Sequence, residues 1–253
     1  MQLTGQIIQI TDVSPVDRRQ MFELMRRNYD NITSPQFDSD LNEKDWVIVT
    51  RHPGSGHVMG FSTQQLYDQD TSEGPIKVLF SGDTIVDPEF WGSNPLAKLW
   101  GQLTLALMDK HLGQDLFWFL ISKGYKTYRF LPVFFNEFFP RLGTPTPQWA
   151  TNILNGIAQE KFGDRFEIQR GIVRAAEDGC RLKPNIADIS HRASDRNVRF
   201  FESANPGHAR GDELCCLARL SRKNFKASAW KVIGSSVTAN LSLDPDRAPN
   251  HVA

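Results

Sequence analysis

Asp83 is a carboxylate inside a strand-like segment, Ile76 to Val86 (IKVLFSGDTIV), between Phe80 and Ile85. A carboxyl desolvated by such neighbours titrates higher than usual and becomes suited to take a proton near neutral pH, directly or through a water. The alternative reading is structural, with Asp83 accepting backbone N–H groups at an irregularity of the strand. Gly82 marks such a place, because a glycine inside a strand suggests a bulge or the close approach of another backbone. The segment runs into a turn, Asp87 to Asn94 (DPEFWGSN), and then an apolar helix from Pro95. N–H groups at a helix start are unpaired and carry positive potential, so a phosphate or a polarised carbonyl oxygen fits there. Gly92 permits close approach, and Ser93 and Asn94 bring hydrogen-bonding side chains that also serve as ordinary helix caps.

A second group follows the next strand, Leu116 to Ile121. Tyr125 and Tyr128 stand among Lys123, Lys126 and Arg129. These cations suit a phosphate or an acidic protein surface, and equally suit plain solvated charge. Phe117, Trp118 and Phe119, then Phe130, Leu131, Phe134, Phe135, Phe138 and Phe139, crowd one stretch. Such density reads either as core or as the wall of an apolar tunnel for a long chain. His208, in a Gly-rich loop near Asp212 and Glu213, is a candidate base or acceptor-binding group, or a surface histidine without a role. Cys215 and Cys216 sit within a strand and read either as including a nucleophile or as buried and inert. The six His and three Cys show no ligand spacing, so no metal is expected. No Walker loop, dinucleotide fingerprint or Gly-x-Ser-x-Gly elbow is present.

The elements that must position these residues fit one globular domain. The chain has 253 residues, with 29 Lys plus Arg, 29 Asp plus Glu, and 40% hydrophobic residues, enough for a sizeable core and not the profile of a disordered chain. Balanced charge argues against a nucleic-acid binder. Residues 1–160 hold 13 Lys or Arg against 18 Asp or Glu, whereas 161–231 hold 15 against 9, so the later third is basic. No transmembrane segment and no secretory signal are visible, and a cytoplasmic location is expected. Strands are expected at Gln6 to Ile10, Trp46 to Thr50, Val58 to Leu66, Ile76 to Val86 and Leu116 to Ile121. Helices are expected after Ser14-Pro15, after Ser34-Pro35, over Pro95 to Lys110 and over Gln148 to Phe162. Asp68 to Pro75 reads as a polar loop, and Ser122 to Arg141 as a helix broken at Pro132. Glu167 to Val173, Val198 to Phe201 and Glu213 to Leu220 read as later strands, Gly179 to Asn197 as a long loop, and the residues after Ile233 as a weakly patterned tail. The order gives a mixed α/β class with a mostly antiparallel central sheet flanked by helices. It divides into a core over 6–141, an extension over 142–197 and returning strands over 198–233.

The element order and the segment Val86-Asp87-Pro88-Glu89-Phe90-Trp91-Gly92 resemble the GNAT acyltransferase superfamily. There a strand runs into a V-x-P-x-x-R/Q-G-x-G-x-G/A turn whose amides hold the pyrophosphate of coenzyme A. Val86, Pro88 and Gly92 match. Trp91 stands in place of the Arg or Gln, and Asn94 and Leu96 in place of the later small residues. The resemblance implies that the strand of Gly82 and that of Leu116 splay apart, with the donor's pantetheine arm against Thr84, Ile85 and Val86. It implies donor-phosphate contacts at Trp91 to Asn94, Lys123 and Arg129, Asp83 as the base, and a tyrosine, Tyr128 by helical position, as the acid for the departing thiolate. The implied donor is acyl-CoA or an acyl-phosphopantetheine on an acyl carrier protein, with a long acyl chain as the sharper form. The implied acceptor is a primary amine of a small molecule, amino acid or peptide. An acyl-homoserine-lactone-synthase-like enzyme and a non-catalytic acyl-CoA sensor on the same fold are the alternatives.

Overall fold

The structure is a computed structural model that describes residues 2–72, 74–92, 95–187 and 194–234. Ser93, Asn94 and the tail beyond Gly234 therefore lie outside the described residues. The chain opens with β1 (Thr4–Gln9) and then α1 (Pro15–Asn28), where the Ser14 hydroxyl accepts the Asp17 N–H at 3.1 Å as an N-cap. β2 (Tyr29–Asp30) and α2 (Ser34–Asn42) follow, then β3 (Trp46–Arg51), β4 (Val58–Thr71) and β5 (Gly74–Val86). Next come α3 (Leu96–Lys110), β6 (Leu116–Ser122), α4 (Tyr125–Tyr128), α5 (Phe130–Phe134) and α6 (Gln148–Phe162). The later chain forms β7 (Phe166–Glu167), β8 (Ile172–Val173), β9 (Arg181–Leu182), α7 (Pro184–Ala187), α8 (Arg196–Ala204), β10 (Glu213–Arg219) and α9 (Ala227–Ile233).

Eight strands form one sheet in the order β1-β3-β4-β5-β6-β10-β8-β7, and β2 pairs with β9 apart from it. Within the large sheet only β5 and β6 run parallel. The class is thus mixed α/β with a mostly antiparallel sheet flanked by helices. Alternate strand residues divide the core between the two faces. Leu79, Trp118 and Leu120 point to the face covered by α3, α4, α5, α8 and α9. Val78, Phe80, Phe117 and Phe119 point to the other face, where α6 packs. On that second face α1 and α2 cover the β3–β4 end, against Val47, Val49 and Phe61. No helix among the described residues is long and apolar enough to cross a membrane.

Four sequence expectations are corrected. Asp68 to Pro75 is not a loop: β4 and β5 pair down to Thr71 and Gly74, with Lys77 on Asp68 at 2.6 Å and Gly74 at φ +108° closing the turn. Its polar residues are cross-strand partners rather than loop residues. Glu167 to Val173 is a short hairpin, β7–β8, turned at Gly171 with φ +64°. Val198 to Phe201 is helical, so β10 is the one strand among the described residues of 198–233. Asp195 caps α8 by accepting the Asn197 N–H at 2.8 Å, and Val198 and Phe201, three apart, are buried on one side. The helix after β6 breaks at Arg129, not at Pro132, because a proline disrupts the turn before it.

The aromatic run is core. Phe134, Phe135, Phe138 and Phe139 are all nearly fully buried, and Trp118 stacks against Trp100 and Phe135 with ring centres 4.4 and 5.6 Å apart. Only Phe130 of this run reaches the cavity described next.

Candidate functional site

β5 carries one residue too many. Ser62 faces Thr84 and Gln64 faces Ser81, so Gly82 and Asp83 together oppose Thr63. This is a bulge, which bends the strand and turns Asp83 out of the regular alternation. The glycine leaves room there: a Cβ at Gly82 would meet Thr63 Oγ1 at 2.7 Å and Lys44 Cε at 3.0 Å.

The bulge is also where β5 and β6 part. Their parallel pairing runs from Lys77 with Leu116 to Ser81 with Leu120, and stops. Beyond it Thr84, Ile85 and Val86 stay paired with β4, while Ile121 and Ser122 stay paired with β10. Each strand therefore keeps an unpaired edge facing the other across a widening gap. A buried polar chain holds the apex. Trp118 Nε1 donates to Ser81 Oγ (2.9 Å), Ser81 donates to Gln64 Oε1 (2.6 Å), and Gln64 Nε2 donates to Ser62 Oγ (2.7 Å), which bonds Thr84 Oγ1 (2.7 Å). Such a closed chain fixes side-chain geometry where the backbone ladder ends.

The gap opens into a cavity of about 700 Å³. Gly82, Asp83, Thr84, Ile85 and Val86 line it along β5, and Ile121, Lys123, Gly124 and Tyr125 along β6 and α4. A mostly antiparallel sheet whose parallel pair splays at a bulge, with one strand running through a turn into a helix, is a GNAT-like arrangement. That is a resemblance in the order and pairing of elements.

The turn toward α3 borders the GNAT-like cleft through Trp91 and Gly92, the latter at φ +91°. The Trp91 indole donates to the Val86 carbonyl at 2.9 Å and carries the Lys126 ammonium 3.3 Å from its ring centre. Trp91 thus holds a cation at the edge of the cleft. Arg129 lines the same side. Lys123 lies deeper, paired with Glu213 at 3.2 Å, so its charge is already matched inside the cavity.

Asp83 lines the cavity and is only partly exposed. Burial, reinforced by Asp40, pushes its carboxyl up to about 6 against the pull of Lys123 and Lys44. It is thus mostly ionised at pH 7 and able to accept a proton. Burial also raises Tyr29 and lifts the Cys180 thiol to about 11, so neither is an anion at neutral pH.

The two tyrosines separate. Tyr125 lines the cavity and its hydroxyl donates to Asp195 at 3.0 Å. Tyr128, the residue the sequence favoured, is fully buried, is not among the residues that line the cavity, and donates to the Pro140 carbonyl at 3.0 Å. Its ring packs into the aromatic core against Phe138 and Phe201. His208 is also apart, half-buried with its ring 5.6 Å from Phe201 and its pKa lowered by burial. Cys215 and Cys216 are buried in β10 with their thiols pushed up.

The cavity recruits residues that the sequence reading did not single out. Tyr29, Asp40, Lys161, Cys180 and Glu213 come from five separate segments. Of these only Lys161 is a basic residue of the stretch 161–231.

No family model and no curated protein matches the chain. Among solved structures, a probable N-acyltransferase from Enterococcus faecalis aligns at 14% identity over 50% of this chain and 31% of that one, with TM-score 0.38. The chain thus spans less than a third of that protein. The GNAT family N-acetyltransferase YhbS from Escherichia coli, solved with CoA, aligns at 17% identity over 51% of this chain and 68% of that one, with TM-score 0.35. NAA60 from Arabidopsis thaliana, solved with acetyl-CoA, aligns at 14% identity over 50% and 80%, with TM-score 0.38. Alignments this partial leave the chemistry to be argued from the cleft itself.

Proposed function

We propose that this protein is an N-acyltransferase that moves an acyl group from a thioester donor, acyl-CoA or an acyl-phosphopantetheine, to a primary amine. The observation that carries the reading is the splay of β5 from β6 at the Gly82–Asp83 bulge, with a carboxylate of raised pKa at its apex. An extended arm rich in amides matches an unpaired strand edge, as an added strand would. Thr84, Ile85 and Val86 offer that edge. Trp91, Gly92, Lys126 and Arg129 stand where the donor's phosphates would lie, and Ser93 and Asn94 complete that turn in the sequence. A long acyl chain finds no tunnel in the aromatic run, which is packed core.

The chemistry follows from the groups present. The amine nitrogen attacks the thioester carbonyl, a C–N bond forms, and the C–S bond breaks. Asp83 takes the proton the nitrogen loses, directly or through a water. The departing thiolate takes up a proton, for which Tyr29 and Tyr125, the tyrosines among the lining residues, are the candidate donors. No covalent enzyme intermediate is required, consistent with the raised thiol of Cys180. Incubation with mixed acyl-CoAs and an amine panel, read by mass spectrometry, tests the reading. An amide product is expected. Acyl-CoA binding with no amide from any amine would instead favour the sensor alternative.

A further inference from the structure

The cavity has a second cationic wall, apart from the one at Trp91 and Gly92. Lys161, on the last turn of α6, lines it together with Arg165 four residues on. The Lys161 ammonium lies 4.5 Å from the Phe80 ring centre and donates to Gln65 Oε1 at 3.0 Å. Among the described residues no carboxylate forms an ion pair with it. The carboxylates that act on it, Glu43 and Asp40, are engaged by Lys44 at 3.9 and 2.8 Å. Arg165 rests over Phe162 at 5.8 Å and likewise forms no ion pair among the described residues. Burial and the neighbouring Lys44 lower the Lys161 pKa from the usual lysine range, the mark of a cation short of a counter-ion.

Placement gives this wall its meaning. Lys126 and Arg129 approach with Trp91 and Gly92 from the α3 face of the sheet, whereas Lys161 and Arg165 approach from the α6 face. Asp83 sits at the bulge between the two sides. If the donor's phosphates occupy the first cationic side, the second faces whatever enters from the other face, which is the acceptor. That opening lies between the C-terminal ends of α2 and α6. It presents the acidic Asp40 and Glu43 on one wall and the basic Lys161 and Arg165 on the other. Opposed walls of opposite sign complement a molecule that carries both charges.

We propose that Lys161, assisted by Arg165 at the rim, binds an anionic group on the amine acceptor. The substrate class is then a small zwitterion, an amine bearing a nearby carboxylate, as in an amino acid, or a nearby phosphate. This rests on the acyl-transfer reading, and the test separates the two. Wild type, Lys161→Gln and Lys161→Arg are compared as full chains, with folding checked by circular dichroism. The acceptors are amino acids against their carboxamides and decarboxylated amines, and phosphoethanolamine against ethanolamine. Amide formation is read by mass spectrometry and acceptor binding by calorimetry. The expected result is at least a tenfold preference for one zwitterionic arm, which names the anion. Lys161→Gln should lose most of that preference and Lys161→Arg keep most of it, with CoA affinity within about twofold of wild type. Equal use of neutral amines and zwitterions overturns the anion subsite and leaves the transferase standing. Zwitterion binding that vanishes in Lys161→Gln, with no amide from any acceptor, sustains the subsite and overturns the transferase. No zwitterion binding and no preference overturns the subsite.

Discussion

The two halves of β5 do opposite work. From Ile76 to Phe80 the strand is paired on both edges and its side chains alternate into two packed cores. From Gly82 to Val86 it is paired on one edge only, and its other edge opens on a cavity. The change takes one inserted residue and one glycine. Binding geometry gains most when it is mounted on a rigid element, and here the rigid half continues directly into the open half. The chain thus takes precision from the core without burying the site.

The contrast predicts different failures in the two halves. Beside the closed half, Phe119 of β6 pairs with Phe80 and is fully buried among Phe80, Phe162 and the α6 side chains. Phe119→Ala should cost about 3–5 kcal/mol of stability by urea unfolding, the usual cost of emptying a large aromatic site. A loss under about 1 kcal/mol would mean that this half is not the rigid support.

In the open half the loss should appear in turnover. Asp83→Asn should lower kcat at least tenfold, about 1.4 kcal/mol of transition-state stabilisation, while donor affinity measured by calorimetry changes little. In the wild type, activity should fall on the acid side with a midpoint near pH 6, because the carboxyl must be ionised to accept a proton. The stability sign is opposite. A carboxyl raised in the folded state binds its proton more tightly there than in the unfolded chain. Asp83 therefore favours folding below its usual pKa of 3.8, and that contribution is lost as pH rises toward about 6. At pH 7 Asp83→Asn should therefore be the more stable protein, by about 1–2 kcal/mol after allowance for water in the cavity. Equal melting temperatures at pH 4 and a higher one for the variant at pH 7 would show it. A variant that is both inactive and less stable at pH 7 would instead make Asp83 a structural residue.

The closed half was legible in the sequence and the open half only partly so. Alternation and β-branched content marked β3 and β5, and Ser14-Pro15 marked α1, because those signals are local. Gly82 announced the bulge for the same reason, since a missing side chain within a strand is a local anomaly. The placement of Tyr128 was not legible, because it depends on a helix break whose consequence is decided by packing against α8. Val198 and Phe201 defeated the reading from the other direction, since two apolar residues three apart within four fit a short strand as well as a helical turn. Lys161 and Asp40 were invisible as site residues, being brought together only by the way α2 and α6 share one face of the sheet.

The hinge between the halves can be probed by a single methyl. Gly82→Ala would press a Cβ onto Thr63 Oγ1, which is buried and has no hydrogen-bond partner among the described residues. Overpacking of this kind costs about 1–3 kcal/mol. Adding Thr63→Ala removes the atom that is struck, and should recover most of the stability in the double variant. Additive losses would place the strain elsewhere, against Lys44 or the backbone.

The smallest effect belongs to the tyrosine that the fold withdrew from the cavity. Tyr128→Phe removes one hydrogen bond, to the Pro140 carbonyl, and leaves the ring in the aromatic core. It should cost about 1 kcal/mol of stability, the net worth of one buried bond, and leave kcat within about twofold. Tyr125→Phe removes the hydroxyl that donates to Asp195, so it should cost a similar amount of stability, and a loss of kcat beyond that of Tyr128→Phe would mark it as the acid. Measuring both variants decides whether cavity position or helical register identifies the acid. If Tyr128→Phe were the one to lose turnover, helix α4 would have to rotate during the reaction, and the open half of the cleft would not be the rigid extension that β5 makes it.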